Sequence, residues 1–530
     1  MNFVIGSGPA GTAAATALLE HGCEVTMLDA GGTLEPDIAG RADRMAQVLP
    51  AAWSSADRDA LKGPLRYNQE GAPLKLAFGS DYVYRDVDRW LPVAARGVDA
   101  FRSMATGGLS VLWGGSVMPF SDTDFEGWPV GAADMREHYQ AVLQLTGLAA
   151  EEDALTSLYP LHLAPTAPLE LSRQASMMLR RAEAHGEALA ARQVHVGRAR
   201  LAFAAPRGAV EGCARCGLCL YGCPYGIIYS TQATVRHLAA TEPRFTYVPG
   251  VVVRRLVEGH AGVVIEAVAR DTQQPRHFDA DRVYLGAGTL PSTAILLHSL
   301  PAAKPSVTLC QSDHFLLPLL LMGRVGHPSD ERLHTLSQLY IELLDPAISR
   351  HGVHLQVYTY NDLYARMAQD RLGRLFPVVA PLVAAGIRRL ALIKGYLHSG
   401  ESDGIRASLE AGTLGPTLRL DAERNPASRR VIGAATAALR RNSARLGAWP
   451  LRVARRTGRP GSSVHVGGSV PMRRAPNGME SDLQGRPAGL RRVHVVDGSV
   501  FPTMPAASPT LTIMANARRI AVWSQRGQET

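Results

Sequence analysis

No stretch of about 18 consecutive apolar residues occurs in the 530-residue chain, which excludes a transmembrane helix. Charge is sparse. Asp, Glu, Lys and Arg make up 19% and mean hydropathy sits near zero, so most of the chain is not disordered. Internal repeats and a low-complexity tail are both absent. Lys and Arg number 56 against 47 Asp and Glu, a net charge of +9. Over this length that excess suits an acidic partner or an anionic surface and does not specify nucleic acid. Cysteine is also scarce, at six residues, yet four of them fall between positions 213 and 223. A strand begins at Phe3-Val4-Ile5, leaving no room for a secretory leader, so a cytoplasmic protein is expected. In a reducing compartment, clustered cysteines read as metal ligands rather than disulfides.

What is present starts at once. Residues 2–30 read NFVIGSGPAGTAAATALLEHGCEVTMLDA. A β-branched strand runs into Gly6-x-Gly8-x-x-Gly11, an Ala-rich helix follows, and a second strand ends at Asp29. This is the dinucleotide-binding fingerprint in its required setting. Gly6 makes the tight turn, Gly8 admits a pyrophosphate to the backbone, and Gly11 lets helix and strand pack closely. Asp29 is placed to accept from a ribose hydroxyl. The helix N-terminus offers free N–H groups to phosphate.

Further glycine-rich blocks lie downstream. Residues 105–120 read ATGGLSVLWGGSVMPF, in which Gly107-Gly108 and Gly114-Gly115 bracket an apolar turn. Alone, this is either a packed loop or a backbone stripped of Cβ atoms to lie against a flat ring. In DRVYLGAGTLPSTAILL, residues 281–297, a strand meets Gly286-x-Gly288 and a helix. Near the C-terminus, VHVVDGSVFPTMPAASPTLTIMANARRIA carries a strand ending at Asp497-Gly498. A helix then starts near Pro509-Thr510, with Ser508 placed as its N-cap. His465 stands just before Gly467-Gly468. By itself such a histidine reads as structural.

Residues 211–231, EGCARCGLCLYGCPYGIIYST, hold Cys213, Cys216, Cys219 and Cys223 followed by Pro224. C-x2-C-x2-C-x3-C-P is the bacterial ferredoxin spacing. Gly217 and Gly222 allow the tight turns. In two-cluster ferredoxins the fourth cysteine serves the other cluster, and no second run exists here. One [4Fe–4S] cluster on four thiolates or one [3Fe–4S] cluster on three is therefore expected. A tetrathiolate zinc site and a metal-free loop are the competing readings. Cys23 and Cys310 read as packing residues.

Taken in order, these blocks resemble the glucose–methanol–choline (GMC) family of FAD-dependent alcohol oxidoreductases over roughly residues 1–150, 205–315 and 460–525. The resemblance implies that Gly6, Gly8, Gly11 and Asp29 hold the ADP half of FAD. It puts Gly107, Gly108, Ser110 and Gly288 beside the cofactor and Val251 at the adenine, and gives Asp497, Gly498, Pro509 and Thr510 to the flavin. His465 falls at the family's active-site base, taking a hydroxyl proton while hydride leaves for the flavin. Ser508 stands where the family usually has Asn or His, and is expected to orient the substrate. Trp113 stands where the second signature often has Asn. Some sugar dehydrogenases of the family resemble this chain's cysteine loop.

The expected fold is therefore α/β: a Rossmann-like FAD-binding domain with an interleaved α+β substrate-binding lobe. The FAD lobe takes residues 1–150, 205–315 and 460–530, including the cysteine loop 211–231. The substrate lobe takes 151–204 and 316–459. Residues 371–397, RLGRLFPVVAPLVAAGIRRLALIKGYL, read as buried helices with snorkelling basic residues, interrupted at Pro377 and Pro381. A surface dipping into a membrane interface is the less favoured alternative. The expected activity is FAD-dependent oxidation of a CH–OH group on a sugar or sugar-containing intermediate. An iron–sulfur cluster would pass electrons to an acceptor protein or quinone. The alternatives are an oxidase acting on a lipid- or sterol-like alcohol with oxygen, and an electron-transfer flavoprotein without a substrate of its own.

Overall fold

The computed structural model describes residues 1–67, 73–300, 306–323, 325–412 and 416–526. Its nucleotide-type sheet has five strands, all parallel, in the spatial order Val493–Val495, Arg282–Leu285, Asn2–Ile5, Val25–Leu28 and Phe245–Val248. The strands are short and apolar on both faces, as a sheet covered by helices requires. Pro9–Glu20 covers it beside the C-terminal helix Thr510–Arg526, which in turn packs against Ala132–Thr146. Small residues permit the first contact: Ala10, Ala13, Ala14 and Ala17 are all buried. This is the α/β fold expected from the first motif.

A larger antiparallel sheet supplies the second layer. Its order is Ala448–Pro450, His314–Leu321, Leu390–Leu397, Val353–Tyr358, Leu339–Leu343 and Val194–Arg198, with Arg456–Thr457 added beside His314–Leu321. Its strands alternate. Leu317, Leu339, Ile341, Leu355, Val357 and Ile393 face one core, against the helices Arg173–Ala184 and Pro426–Arg441. The intervening residues, including Glu342, His354, Gln356, Lys394 and Tyr396, share the opposite face by the period of two. A mixed sheet draws Val93–Arg96, Ser306–Gln311, Gly404–Glu410, Thr417–Glu423 and Val466–Gly467 together from both sides of the boundary expected near 315.

Two features depart from the sequence reading of 371–397. Leu390–Leu397 is a central strand, not a helix, and its register runs Tyr396 opposite His354 and Lys394 opposite Gln356. The helices that do form, Asp362–Leu372 and Phe376–Ile387, are not buried: Ile387 is their one buried residue. Pro381 sits within the second helix, and the chain breaks instead around Gly373, whose φ is +49°. No helix among the described residues is long and apolar enough to cross a membrane.

Candidate active site

The Gly6–Gly11 turn is built for close approach. A Cβ on Gly11 would lie 1.9 Å from the Gly6 carbonyl oxygen, so helix and strand pack at a distance only glycine tolerates. Gly6 takes φ +95°, and a Cβ there would meet Gly286 at 2.7 Å. Gly8 differs: no atom lies within 4 Å of where its Cβ would be, and Gly288 is equally open. These two glycines border a space that side chains would narrow. The helix beginning at Pro9 has no side-chain cap, which leaves its first-turn N–H groups available to an anion.

Asp29 is buried, and its carboxylate accepts from Ser7 N (2.9 Å), Ser7 Oγ (2.8 Å), Gly31 N (2.8 Å) and the Tyr247 hydroxyl (3.1 Å). Burial pushes this carboxyl above its ordinary range, and those hydrogen bonds oppose the shift. Asp29 thus fastens the glycine turn from behind. Val251 is also buried, and its N–H donates to the Asp29 carbonyl at 2.9 Å.

Ser7 couples the first glycine cluster to the second. Its Oγ accepts from Gly107 N at 2.8 Å, and its carbonyl accepts from Thr231 Oγ1 at 2.9 Å. Ser110 closes the group by donating to the Gly107 carbonyl at 2.6 Å. Gly107 and Gly108 both have positive φ, and Gly108 backs onto Gly8. The Trp113 indole N–H is committed to the Tyr229 carbonyl at 2.6 Å.

The C-terminal block joins the same place. Asp497 accepts from Gly288 N (2.9 Å), Ser499 N (3.0 Å) and the Ser292 hydroxyl, which locks the 286–288 turn to the last strand. Gly468 N donates to the Gly498 carbonyl at 2.9 Å, and Thr289 Oγ1 donates to the Val466 carbonyl at 2.7 Å. The His465 segment is therefore stitched directly to Gly498. The last helix begins at Thr510, and the Pro509 carbonyl accepts from Ile513 N at 2.8 Å.

His465 stacks on Tyr396, with ring centroids 4.7 Å apart and planes 17° from parallel. Its Nδ1 is buried without a hydrogen-bond partner. Burial first, then the charge of Lys394, pushes its pKa down to about 3, so the ring is neutral at physiological pH. Lys394 is lowered to about 8 by burial and lies over the Tyr396 ring at 5.2 Å.

Ser508 does not cap the last helix. Its hydroxyl donates to Ser116 Oγ at 3.0 Å and accepts from Gln356 Nε2 at 3.1 Å. A chain of bonds extends behind each partner. Ser116 bonds the Tyr340 hydroxyl, which donates to the Arg200 carbonyl at 3.2 Å. Gln356 Oε1 accepts from the Tyr358 hydroxyl at 2.8 Å, while its Nε2 lies 3.2 Å from His354 Nε2. His354 Nδ1 is 2.6 Å from the Glu342 carboxylate, and both side chains are buried. A carboxylate only accepts, so Nδ1 carries the proton and Nε2 accepts from Gln356. The tautomer at Glu342 thereby fixes which way Gln356 presents its NH2 to Ser508.

His465 and Ser508 are thus joined by a wall of side chains from neighbouring strands: Tyr396, His354 and Gln356. None of these was found from the sequence. The signal was nevertheless there: VHLQVY sets His354, Gln356 and Tyr358 two apart, a polar edge on an otherwise apolar strand.

Cys213, Cys216, Cys219 and Cys223 line one small cavity, with Phe203 and His334 also on its wall. All six cysteines of the chain are free thiols. Gly217 and Gly222 take positive φ in the loop, as expected, and Gly222 is pressed against the Phe78 ring. Burial, then the neighbouring thiols, pushes Cys213 up to about 12 and raises Cys216 and Cys223 as well. His334 is buried with both ring nitrogens unpartnered. Among the described residues, no group of three or more His, Cys, Asp or Glu is spaced to hold a single metal ion.

Comparison with known proteins adds the following. Residues 412–517 match the GMC oxidoreductase family in its C-terminal domain. The chain is 25% identical to paromamine 6'-oxidase of Streptomyces fradiae, covering 98% of this chain and 90% of that protein. It is 24% identical to 6'''-hydroxyparomomycin C oxidase of Streptomyces lividus, covering 97% and 89%. Among solved structures, pyridoxine 4-oxidase from Mesorbium loti superposes with a TM-score of 0.58 at 18% identity, covering 99% of both chains.

Proposed function

We propose that this chain, an oxidoreductase of the GMC type, uses FAD to oxidise a CH–OH group on a sugar or sugar-containing biosynthetic intermediate. The observation that carries the reading is the juxtaposition at His465. A neutral imidazole with an unpartnered nitrogen is tied by Gly468 to Gly498, beside the glycine-bordered crevice. The open Cβ positions at Gly8 and Gly288 and the uncapped helix at Pro9 fit a dinucleotide. Gly6, Gly8, Gly11, Gly107, Gly108, Ser110, Gly288, Asp497, Gly498, Pro509 and Thr510 would hold it. Asp29 and Val251 would serve it from behind, since their bonds to each other and to Ser7 are already made. The names of the two Streptomyces relatives, which act on paromamine and a hydroxyparomomycin, support a sugar alcohol as substrate.

When bound, FAD supplies a two-electron acceptor for the hydride of the carbinol carbon. The residues of the chain do the rest. His465 takes the hydroxyl proton, which its neutral state at physiological pH permits. Ser508, whose proton is directed to Ser116, would turn that proton to the substrate oxygen and aim the hydroxyl's own proton at His465. The cation of Lys394, close enough to depress His465, favours the oxygen as it gains negative charge.

The cysteine cavity supports a finer reading: an iron–sulfur cluster that takes electrons onward to an acceptor protein or quinone. Four thiols on one shared cavity wall, in the ferredoxin spacing, support it. Cys213, Cys216, Cys219 and Cys223 would hold it. Direct reduction of oxygen is the second reading, favoured by the word oxidase in the names of both relatives.

The test is anaerobic mixing of purified protein with an aminoglycoside alcohol such as paromamine. Flavin absorbance is expected to bleach, and His465→Ala to slow the bleaching by about 10²–10⁴-fold. Bleaching of the variant at the parent rate would remove His465 from the mechanism. Iron and acid-labile sulfide analysis of the same sample decides the cluster reading, which fails if neither is found.

A further inference from the structure

The helix Phe376–Ile387 is turned inside out for a globular protein. Val378 is 80% exposed and Leu382 75%, with Leu375 just ahead of the helix at 66%. Val378, Pro381, Leu382 and Ala385 are all exposed and follow the i, i+3, i+4, i+7 spacing of one helical face. The face that would ordinarily turn inward points to solvent. Exposed aliphatic residues clustered in this way mark an interaction site.

The surroundings narrow the partner. From Arg371 to Leu397 the chain contains no Asp or Glu. Arg374 precedes the helix and Arg388 follows it, and both are exposed. A second copy docking on this face would bring like charges together around a two-fold axis. A protein partner would be met by aromatic and methionine anchors, which this aliphatic face lacks. A helix of 12 residues spans about 18 Å, too short to cross a bilayer of about 30 Å. It is long enough to lie in the interface with its aliphatic residues down and its arginines at the headgroups.

We infer that Phe376–Ile387 is an interfacial docking surface for an anionic lipid bilayer. The helix is carried on the insertion between the strands Val353–Tyr358 and Leu390–Leu397. Its companion helix Asp362–Leu372 holds the cysteine loop through Asp362 and Arg366, each 3.1 Å from the Tyr221 hydroxyl. Docking would therefore bring the cysteine loop to the membrane side of the molecule.

The experiment is co-sedimentation of the full chain with vesicles of equal parts phosphatidylcholine and phosphatidylglycerol, and with phosphatidylcholine vesicles alone. The parent is expected to sediment with the anionic vesicles and to be released in part by salt. Val378→Asp with Leu382→Asp should weaken partitioning by about tenfold or more per side chain. Arg374→Glu with Arg388→Glu should weaken it by about fivefold per arginine, on the anionic vesicles only. Gel filtration, and turnover with a soluble dye as acceptor, are expected to be unchanged in the aspartate variant, which separates lost docking from lost folding. The inference is overturned if the parent stays in solution with both vesicles, or if the aspartate variant sediments like the parent. It is also overturned if the parent is a dimer that the aspartate variant dissociates, because the face then belongs to a second copy.

Discussion

At the scale of single residues, burial keeps the His465 imidazole neutral. His465, lowered to about 3, should show no acid limb near the ordinary histidine value. kcat/KM is expected to stay level from about pH 7 down to about pH 5, where a solvated base would already be protonated. On the alkaline side Lys394 loses its charge near pH 8, so kcat/KM should fall as pH rises through that value. Lys394→Met should be slower and level over the same range. A pH–rate profile of parent and variant checks both, and an acid limb near 6.5 in the parent would contradict the burial of His465. Ser508→Ala leaves Ser116 and Gln356 each short of a partner and should lower kcat/KM by about tenfold.

At the scale of elements, the two kinds of glycine separate cleanly. Gly8→Ala meets no atom, so the variant should fold with an unchanged apoprotein melting temperature and lose flavin on gel filtration. Gly11→Ala drives a methyl group into the Gly6 carbonyl and should destabilise the fold itself, by about 1–3 kcal/mol or more. In the large sheet, His354→Ala would take from the buried Glu342 carboxylate its imidazole partner and leave it the Tyr159 hydroxyl, at a cost of about 1–3 kcal/mol visible in thermal melts. The glycine blocks were legible because each needs a residue type that local geometry dictates. The wall behind Ser508 was not, because Glu342 meets His354 only through strand register, which no local spacing records. The run 371–397 misled for a related reason. LALIKGYL is apolar and flanked by arginines, and a short apolar run does not declare its period. Its alternation became plain only when Lys394 and Tyr396 were seen sharing a face with Gln356 and His354.

For the whole molecule, burial of titratable groups sets the response to acid. His138 and His398 are held at about 3, and His334 and His494 at about 4, alongside His465. His162, His195, His314 and His351 shift the same way. Below pH 6.5 the unfolded chain binds protons that these folded sites refuse. Stability should therefore decline as pH falls from 6.5 toward 4, by up to about 1.4 kcal/mol per pH unit for each of His138, His334, His398, His465 and His494. Four buried aspartates held high, Asp29, Asp124 (about 6), Asp313 and Asp497, act in the opposite sense but are fewer. Melting temperatures measured from pH 7 to pH 5 are expected to fall, and a rise would show that the carboxyls dominate. The parallel sheet carries a consequence of another kind. Its edge strand Val493–Val495 pairs beside Arg282–Leu285, which itself pairs with Asn2–Ile5, so the sheet is completed only by joining strands far apart in the sequence. Such long sequence separations slow folding and leave apolar edges uncovered during translation. The chain should therefore need chaperones to reach good yield, which expression with and without added chaperones would show.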